Sequence, residues 1–198
     1  ASFIHFLMFS ILFFILSKLN LKIKLSFFLL IPILILIIVN DSGKKHRMVD
    51  NTINSIKNLQ FSTYHADHYK TALKMYNDKK IIGHGPKSFR FKCSDPKYKV
   101  SKNSCSTHPH NTYLQLLSET GIMGFSTFLI LYFTFVYLFF KNLFNSEDKY
   151  SLCKLILISC FLVNFLPILP SGNFFNNWVS ILYSFPLGFL LGLYNHKI

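Results

Sequence analysis

The stretch GIMGFSTFLILYFTFVYLFF, residues 121–140, contains no charged side chain over twenty consecutive positions. A helix of that length crosses the hydrocarbon core of a bilayer, which is about 30 Å thick. The strict alternation of polar and apolar residues that a lipid-facing β-barrel strand requires is absent from it. The sequence therefore predicts a membrane-spanning helix at these positions.

Four further apolar segments have the length and composition of spans. The chain is 51% hydrophobic and only 15% charged, whereas soluble domains carry about 25% charged residues. The four segments are residues 2–16, 25–39, about 155–170 and about 178–194. The fold class predicted is an all-α integral membrane protein with about five transmembrane helices.

The beginning of the chain differs from that of a secreted precursor. Its first residue is Ala1 and not Met, and no basic residue precedes the first apolar segment. No small-residue cleavage site follows that segment, so a signal peptide is not expected. We interpret the chain as the later part of a longer protein.

Lysines in the short connections predict the orientation, because short cytoplasmic loops of membrane proteins are enriched in positive charge. They precede the second segment, flank the connection after the third and follow the fifth: Lys18, Lys22, Lys24, Lys141, Lys149, Lys154 and Lys197. We therefore predict two transmembrane helices in residues 1–39, an extracytoplasmic loop in residues 40–118 and three transmembrane helices in residues 119–198.

The predicted outer loop is strongly basic. Residues 40–118 contain 14 Lys and Arg against 5 Asp, a net charge of +9. This charge suits anionic lipid headgroups or a phosphorylated substrate, which Arg47 and Arg90 can bind through bidentate guanidinium contacts. Nucleic acid is not expected as a partner, because the loop is extracytoplasmic and contains no nucleic-acid-binding motif.

Two local patterns stand out in the first part of the loop. Tyr69, Ala72, Leu73 and Tyr76 follow the spacing of one helix face, which predicts an amphipathic helix along the membrane surface. The turn GHGP at 83–86 follows it. Its backbone N–H groups and His84 are candidates to receive phosphate, although an ordinary loop is the more frequent meaning of such a turn.

The four cysteines fall into two pairs. Cys93 and Cys105 lie in the outer loop, whereas Cys153 and Cys160 lie in or near the fourth apolar segment. An extracytoplasmic compartment is oxidising, so a Cys93–Cys105 disulfide is expected. The alternative is a zinc site formed by both cysteines with His108 and His110, but the spacing matches no familiar zinc template.

A polar stripe begins at the end of the loop. Pro109 suits the first position of a helix, and Asn111, Gln115 and Glu119 then follow at intervals of four residues. Glu119 lies at the entrance to the apolar stretch, where an ionisable group is costly unless paired. His110 stands at the aqueous end of the stripe, where an imidazole can act as a general base.

Two motifs resemble the O-antigen ligase family, membrane glycosyltransferases that move a glycan from an undecaprenyl-diphosphate carrier to an acceptor. One is HNTYLQ at 110–115, continuing through ETGIMG at 119–124, and the other is IIGHGPKSF at 81–89. With the long outer loop and the flanking helices, the resemblance covers nearly the whole chain as the family's C-terminal portion. It implies a GT-C-like fold, represented here in part.

The resemblance also implies a reaction. It predicts a metal-independent glycosyltransferase with no cofactor, located in the bacterial inner membrane as a multi-pass protein with its active-site loop in the periplasm. His110 takes the role of the catalytic base, with Glu119 supporting the site, while Arg47 or Arg90 holds the diphosphate and His84, His108, Asn111 and Gln115 are further candidates for substrate contact. Family members often carry Arg at the start of the amphipathic helix where this chain has His65.

The sequence does not identify the acceptor. Lipid A core, a growing O-antigen or a protein hydroxyl would define a ligase, a polymerase or a protein O-oligosaccharyltransferase, respectively. A lipid or glycolipid acceptor is the leading expectation, with a lipid-linked glycan as donor. The non-enzymatic alternatives are a transporter component, because Pro167, Pro170 and Pro186 interrupt apolar segments, and a membrane anchor with a basic loop.

Overall fold

A computed structural model of the chain describes residues 63–144, 150–167 and 170–195. This part of the chain is helical and contains no β-strand. Its helices are α1 Thr63–Asp78, α2 Phe89–Lys92, α3 Thr112–Phe144, α4 Ser151–Asn164 and α5 Asn177–Asn195. The first two predicted spans lie outside the described residues, and so does Arg47.

Helix α1 confirms the predicted amphipathic helix but turns a different face inward. The buried residues are His68, Thr71, Ala72 and Met75, whereas Leu73 is 42% exposed. Ala72 and Met75 pack against Phe89, Cys93 and Tyr98 of the following loop. The loop thus covers the side of the helix that carries Thr71 and Met75, and the orientation of the apolar face toward the membrane surface stays a prediction.

Helix α3 begins three residues after Pro109, the predicted first position, and bends once. Thr112 is its first residue, because Asn111 accepts a hydrogen bond from Leu114 N–H at 3.1 Å through its side-chain oxygen and so acts as the N-cap. Gly121 interrupts the helix with φ 65° and ψ −167°. The bend falls where the uncharged stretch begins.

The segment before the GHGP turn docks on this bend. Ile122 N–H donates to the Lys80 carbonyl at 2.8 Å, and Gly85 N–H donates to the Glu119 carbonyl at 2.8 Å. A Cβ on Gly83 would lie 2.5 Å from the Glu119 carbonyl carbon, and a Cβ on Gly121 would overlap the Ile81 backbone. Glycine at both positions lets the two backbones come into contact.

Below the bend, α3, α4 and α5 share an aromatic core that includes Phe128, Phe135, Phe161 and Phe165. The chain buries only 17% of the most apolar stretch of α3 and 6% of that of α5. A core helix of a soluble protein would be mostly buried, so these exposed apolar faces fit a lipid environment. Both helices are long and apolar enough to cross a membrane.

Helix α4 is shorter than these two and displaced from its predicted range. It runs over 14 residues and ends at Asn164, whereas the sequence indicated a segment ending near Pro170. Pro167 follows within three residues, and the residue before a proline is disfavoured in helical conformation. The chain therefore leaves the helix early, and the segment after it folds back toward His110.

Candidate active site

The backbone of His110 is held in an uncommon conformation directly before α3. Its φ is 61°, a left-handed value that few non-glycine residues adopt. The His110 carbonyl accepts a hydrogen bond from Ser171 N–H at 3.0 Å, and the side-chain amide of the adjacent Asn111 donates to the Pro167 carbonyl at 3.1 Å. The connection between α4 and α5 therefore fixes the position of His110.

Four histidine rings meet at this point. The His110 ring centroid lies 4.2 Å from that of His108, 4.9 Å from that of His65 and 5.4 Å from that of His68. His65 and His68 come from α1, more than forty residues earlier in the chain. His110 Nε2 is 3.0 Å from Ser106 Oγ, so one ring nitrogen already has a hydrogen-bond partner.

This environment disfavours a charge on any of the rings. Burial, followed by the charges of His108, His65 and His68, lowers the pKa of His110 to about 4. Burial likewise lowers the pKa of His65, His68 and His108. The cluster is therefore uncharged at neutral pH, and each ring has one nitrogen lone pair that can accept a proton or a metal ion.

His108 has a hydrogen-bond partner at each of its two ring nitrogens. Its Nδ1 lies 2.9 Å from Thr107 Oγ1, and its Nε2 lies 3.1 Å from the Ser171 carbonyl. Ser171 also pairs with the Thr112 hydroxyl at 2.7 Å. His108 thus contributes to joining the loop to the connection between α4 and α5.

Glu119 binds backbone groups of the loop. Its Oε1 accepts Phe89 N–H at 2.9 Å, and its Oε2 accepts Lys87 N–H at 3.0 Å. Lys87 has φ 62°, so the carboxylate holds a second left-handed residue in place. The side chain is fully buried, and its visible role is to anchor the turn that follows GHGP.

Gln115 links this carboxylate to the far side of the site. Its side-chain amide donates to Glu119 Oε2 at 3.0 Å and to Asn173 Oδ1 at 2.8 Å. Its Oε1 accepts Phe174 N–H at 3.0 Å. The polar stripe of Asn111, Gln115 and Glu119 therefore ties the two connecting segments to α3, and these hydrogen bonds occupy the side chains that the sequence proposed for substrate contact.

The side chain of His84 packs against the end of α1. Its Nε2 is 3.0 Å from the Met75 carbonyl and 3.6 Å from the Asp78 carboxylate, and its ring meets that of Tyr98 edge-on at 5.4 Å. Burial lowers the pKa of His84. The contacts of His84 are thus with the loop core rather than with the ring of His110.

Arg90 is the arginine that the described structure brings to the site. It is exposed on α2, the short helix whose first N–H is bound by Glu119. Its positive charge interacts electrostatically with both His108 and the Glu119 carboxylate. The turn anchored by Glu119 thus carries an exposed guanidinium whose charge acts on one histidine of the cluster.

A disulfide joins Cys93 and Cys105, with their Cα atoms 5.1 Å apart. This is the pairing expected from the sequence. The bonded sulfurs cannot serve as thiolate ligands, which removes the alternative of a zinc site built from these cysteines with His108 and His110. The bridge closes the segment that leads to the histidine cluster.

Two pairs of residues that contribute to the site were not predicted from the sequence. His65 appeared only as a departure from the family pattern and His68 not at all, although spacing of three residues on a predicted helix places the two on neighbouring positions of one face. Ser171 and Asn173 had no predicted role either. The sequence feature that could have indicated these two residues is a polar, uncharged turn between two apolar segments.

Comparison of the sequence with known protein families identifies the class to which the chain belongs. The sequence profile of the family described as O-antigen ligase matches residues 1–129. The chain belongs to the O-antigen ligase family, a membrane-associated family, and the resemblance drawn from the two motifs is confirmed.

One curated relative carries a related name. A Rickettsia conorii protein called "Putative polysaccharide ligase" is 33% identical over 106 residues, which make up 51% of this chain and 24% of that protein. The match thus spans about a quarter of the length of the relative. No solved structure matches the chain.

Proposed function

We propose that the protein transfers a glycan from an undecaprenyl-diphosphate carrier to an acceptor hydroxyl at the periplasmic face of the bacterial inner membrane. His110 takes the proton of the acceptor hydroxyl. The acceptor oxygen then attacks the anomeric carbon of the glycan, and the bond from that carbon to the diphosphate breaks with its electron pair leaving on the diphosphate. The chemistry proposed needs no metal ion and no cofactor.

The observation that carries this proposal is the placement of His110. An uncharged imidazole stands at the membrane entrance of α3, fixed by Ser171 and by Asn111, with the cation of Arg90 on the adjoining turn. An anionic diphosphate bound next to the ring would raise the pKa of His110 and strengthen it as a base. Arg90 would stabilise the negative charge that develops on the leaving diphosphate.

The acceptor and the membrane orientation belong to the proposal. The preferred acceptor is lipid A core or a similar glycolipid, and polymerase or protein O-oligosaccharyltransferase activity would use the same residues with another acceptor. The lysine distribution of the sequence supports a periplasmic loop and a multi-pass topology. The name of the Rickettsia conorii relative supports a polysaccharide as the transferred group.

A variant of His110 tests the mechanism. In the full-length protein, His110→Ala should lower glycan transfer from the lipid-linked donor by about 10²- to 10⁴-fold, the usual contribution of a general base. Thr127→Ala is the control, because Thr127 is exposed and, among the partners described, donates only to the Met123 carbonyl of its own helix. Wild-type transfer by a His110→Ala protein made at normal levels would contradict the base role and favour the transporter or anchor alternatives.

A further inference from the structure

We infer that His65, His68 and His110 form a binding site for a divalent transition-metal ion such as Zn²⁺, and that the bound ion inhibits transfer. One possible ligand atom from each of the three residues lies within 4.8 Å of the others. The inhibitory consequence rests on the proposed function, because it requires His110 to be the base. The binding site itself does not depend on that role.

Unused nitrogens in the cluster support a metal ligand set. Nδ1 of His65 and Nδ1 of His68 are both buried and have no hydrogen-bond partner. Buried polar atoms of proteins are almost always satisfied, so two such atoms on neighbouring rings of one cluster are unusual. A metal ion shared between them would satisfy both.

The partners of the rings favour ligation as well. Ser106 Oγ lies 3.0 Å from His110 Nε2 and is placed to accept a hydrogen bond from it. Such acceptors fix the ring orientation and the tautomer of metal-binding histidines. Asp67 lies next to His68 in the chain, and its negative charge acts on that ring, which offsets part of the charge of a cation.

The donor set selects the class of ion. Three uncharged imidazoles suit Zn²⁺, Cu²⁺ or Ni²⁺, whereas Mg²⁺ and Ca²⁺ require oxygen ligands. His108 is not a fourth ligand, because both of its nitrogens have partners. A three-histidine site therefore leaves one position for water or for a phosphate oxygen of the donor.

The required movement is small. Nitrogens around a tetrahedral Zn²⁺ are separated by about 3.3 Å, given Zn–N bonds of about 2.0–2.1 Å. The three ligand atoms, at most 4.8 Å apart, need to close by about 1.5 Å. His65 is only half-buried, so its side chain has room to rotate toward the other two.

Metal binding would remove the base. A neutral imidazole has one basic nitrogen, and once that nitrogen is bound to the ion no lone pair remains to accept the proton of the acceptor hydroxyl. The same ion would also hold α1 against the segment that precedes α3. Binding therefore fixes the site in a form that cannot carry out the transfer.

Calorimetric titration of Zn²⁺ into untagged, metal-stripped full-length protein in detergent tests the site without an activity assay. We expect one ion per chain, and binding at least about 100-fold weaker in His68→Gln and in His65→Gln, since even residues that only support metal ligands contribute 10- to 100-fold. His84→Gln is the matched control. His84 also has a buried Nδ1 without a partner, but it lies outside the three-histidine cluster, so this variant should bind as the wild type does.

The absorption spectrum of bound Co²⁺ distinguishes the ligands. Tetrahedral nitrogen coordination is expected, and it should disappear in His65→Gln and His68→Gln. Absence of stoichiometric binding, unchanged affinity in both variants, or a thiolate-to-Co²⁺ band from the free Cys153 and Cys160 would overturn the inference. A wild-type protein that binds Zn²⁺ but lacks transferase activity even in its metal-stripped form would contradict the proposed function and leave the metal site intact.

Discussion

The upper and lower halves of α3 are stabilised by different interactions, although they form one helix. From Thr112 to the bend, the buried side chains are mainly polar, and Gln115, Ser118 and Glu119 are fully buried. From Ile122 to Phe144, the buried side chains are mainly aromatic, while Phe133 and Tyr137 remain more than 60% exposed. The upper half therefore positions loops, and the lower half provides an apolar surface.

This difference has energetic consequences. A buried polar group that loses its partner costs about 1–3 kcal/mol, so the hydrogen-bonded upper half should tolerate little change. An exposed apolar residue facing lipid has no specific partner to lose, and its replacement by another apolar residue should have little effect. Substitutions in the upper half should therefore lower the stability more than substitutions of equal size in the lower half.

The largest effect is expected at the bend. Gly121→Ala places a Cβ on the Ile81 backbone and forces alanine into a conformation that is nearly exclusive to glycine. The loss of unfolding free energy should be about 4 kcal/mol or more, in the range that marks disruptive substitutions. The midpoint of thermal unfolding in detergent measures this loss.

Gly188→Ala on α5 is the control for that experiment, because a Cβ at this position meets no atom within 4 Å. Alanine also has a higher helix propensity than glycine, so this variant should be as stable as the wild type or slightly more stable. Equal stability of the Gly121→Ala and Gly188→Ala proteins would contradict the close contact of the two backbones at the bend.

The next effect is expected at Glu119. Glu119→Leu removes the acceptor of three N–H groups, namely those of the Lys87 and Phe89 backbones and one of the Gln115 amide, which keeps its hydrogen bond to Asn173. Because Lys87 is exposed and Gln115 keeps one acceptor, we take the lower end of about 1–3 kcal/mol for each donor, and the stability should fall by about 3 kcal/mol. Glu119→Gln keeps one acceptor oxygen, so its loss should be smaller.

Ser126→Ala is the matched change in the lower half. The Ser126 hydroxyl is exposed and donates to the Met123 carbonyl within the same helix. Its removal should alter the stability by less than about 0.5 kcal/mol. If Glu119→Leu were as mild as Ser126→Ala in the same unfolding assay, the anchoring role of the carboxylate would be wrong.

The disulfide should contribute somewhat less. Replacing both Cys93 and Cys105 with Ser opens a loop closed by residues 12 apart, and a loop of this size stabilises the fold by up to about 3 kcal/mol in the chain-entropy model. The double variant Cys153→Ser with Cys160→Ser removes free thiols instead and is the control. Reduction with dithiothreitol should lower the unfolding midpoint of this control protein but not that of the Cys93 and Cys105 double variant.

The sequence predicts the elements of the site better than their contacts. The uncharged stretch at 121–140 and the spacing of Tyr69 and Ala72 suffice to place α3 and α1, because both depend on local periodicity. His65 and His110 are in contact although they are 45 positions apart in the chain, and no local sequence pattern predicts such a contact. The hydrogen bonds of Gln115 to the turn at 173–174 were unpredictable for the same reason.

The start of α3 shows where local rules compete. Pro109 is acceptable in the first turn of a helix, and so it suggested an early start. The side chain of Asn111 caps Leu114 instead, and His110 takes a left-handed backbone conformation that a helix cannot include. This arrangement depends on Ser171, which binds the His110 carbonyl from a distant segment, and therefore could not be read from the motif alone.

The smallest effect on stability, and the one most specific to function, is expected at Arg90. Arg90 is exposed on α2, so Arg90→Glu should leave the unfolding midpoint close to that of the wild type. Binding of the lipid-linked donor should weaken by about 10- to 100-fold, because hydrogen bonds to charged groups contribute about 1.5–3 kcal/mol. Lys102→Glu makes the same change of charge at another exposed position of the loop and should weaken binding far less. Equal weakening in the two variants would mean that the loop attracts the diphosphate through its overall charge, and that the turn anchored by Glu119 does not present a specific binding residue.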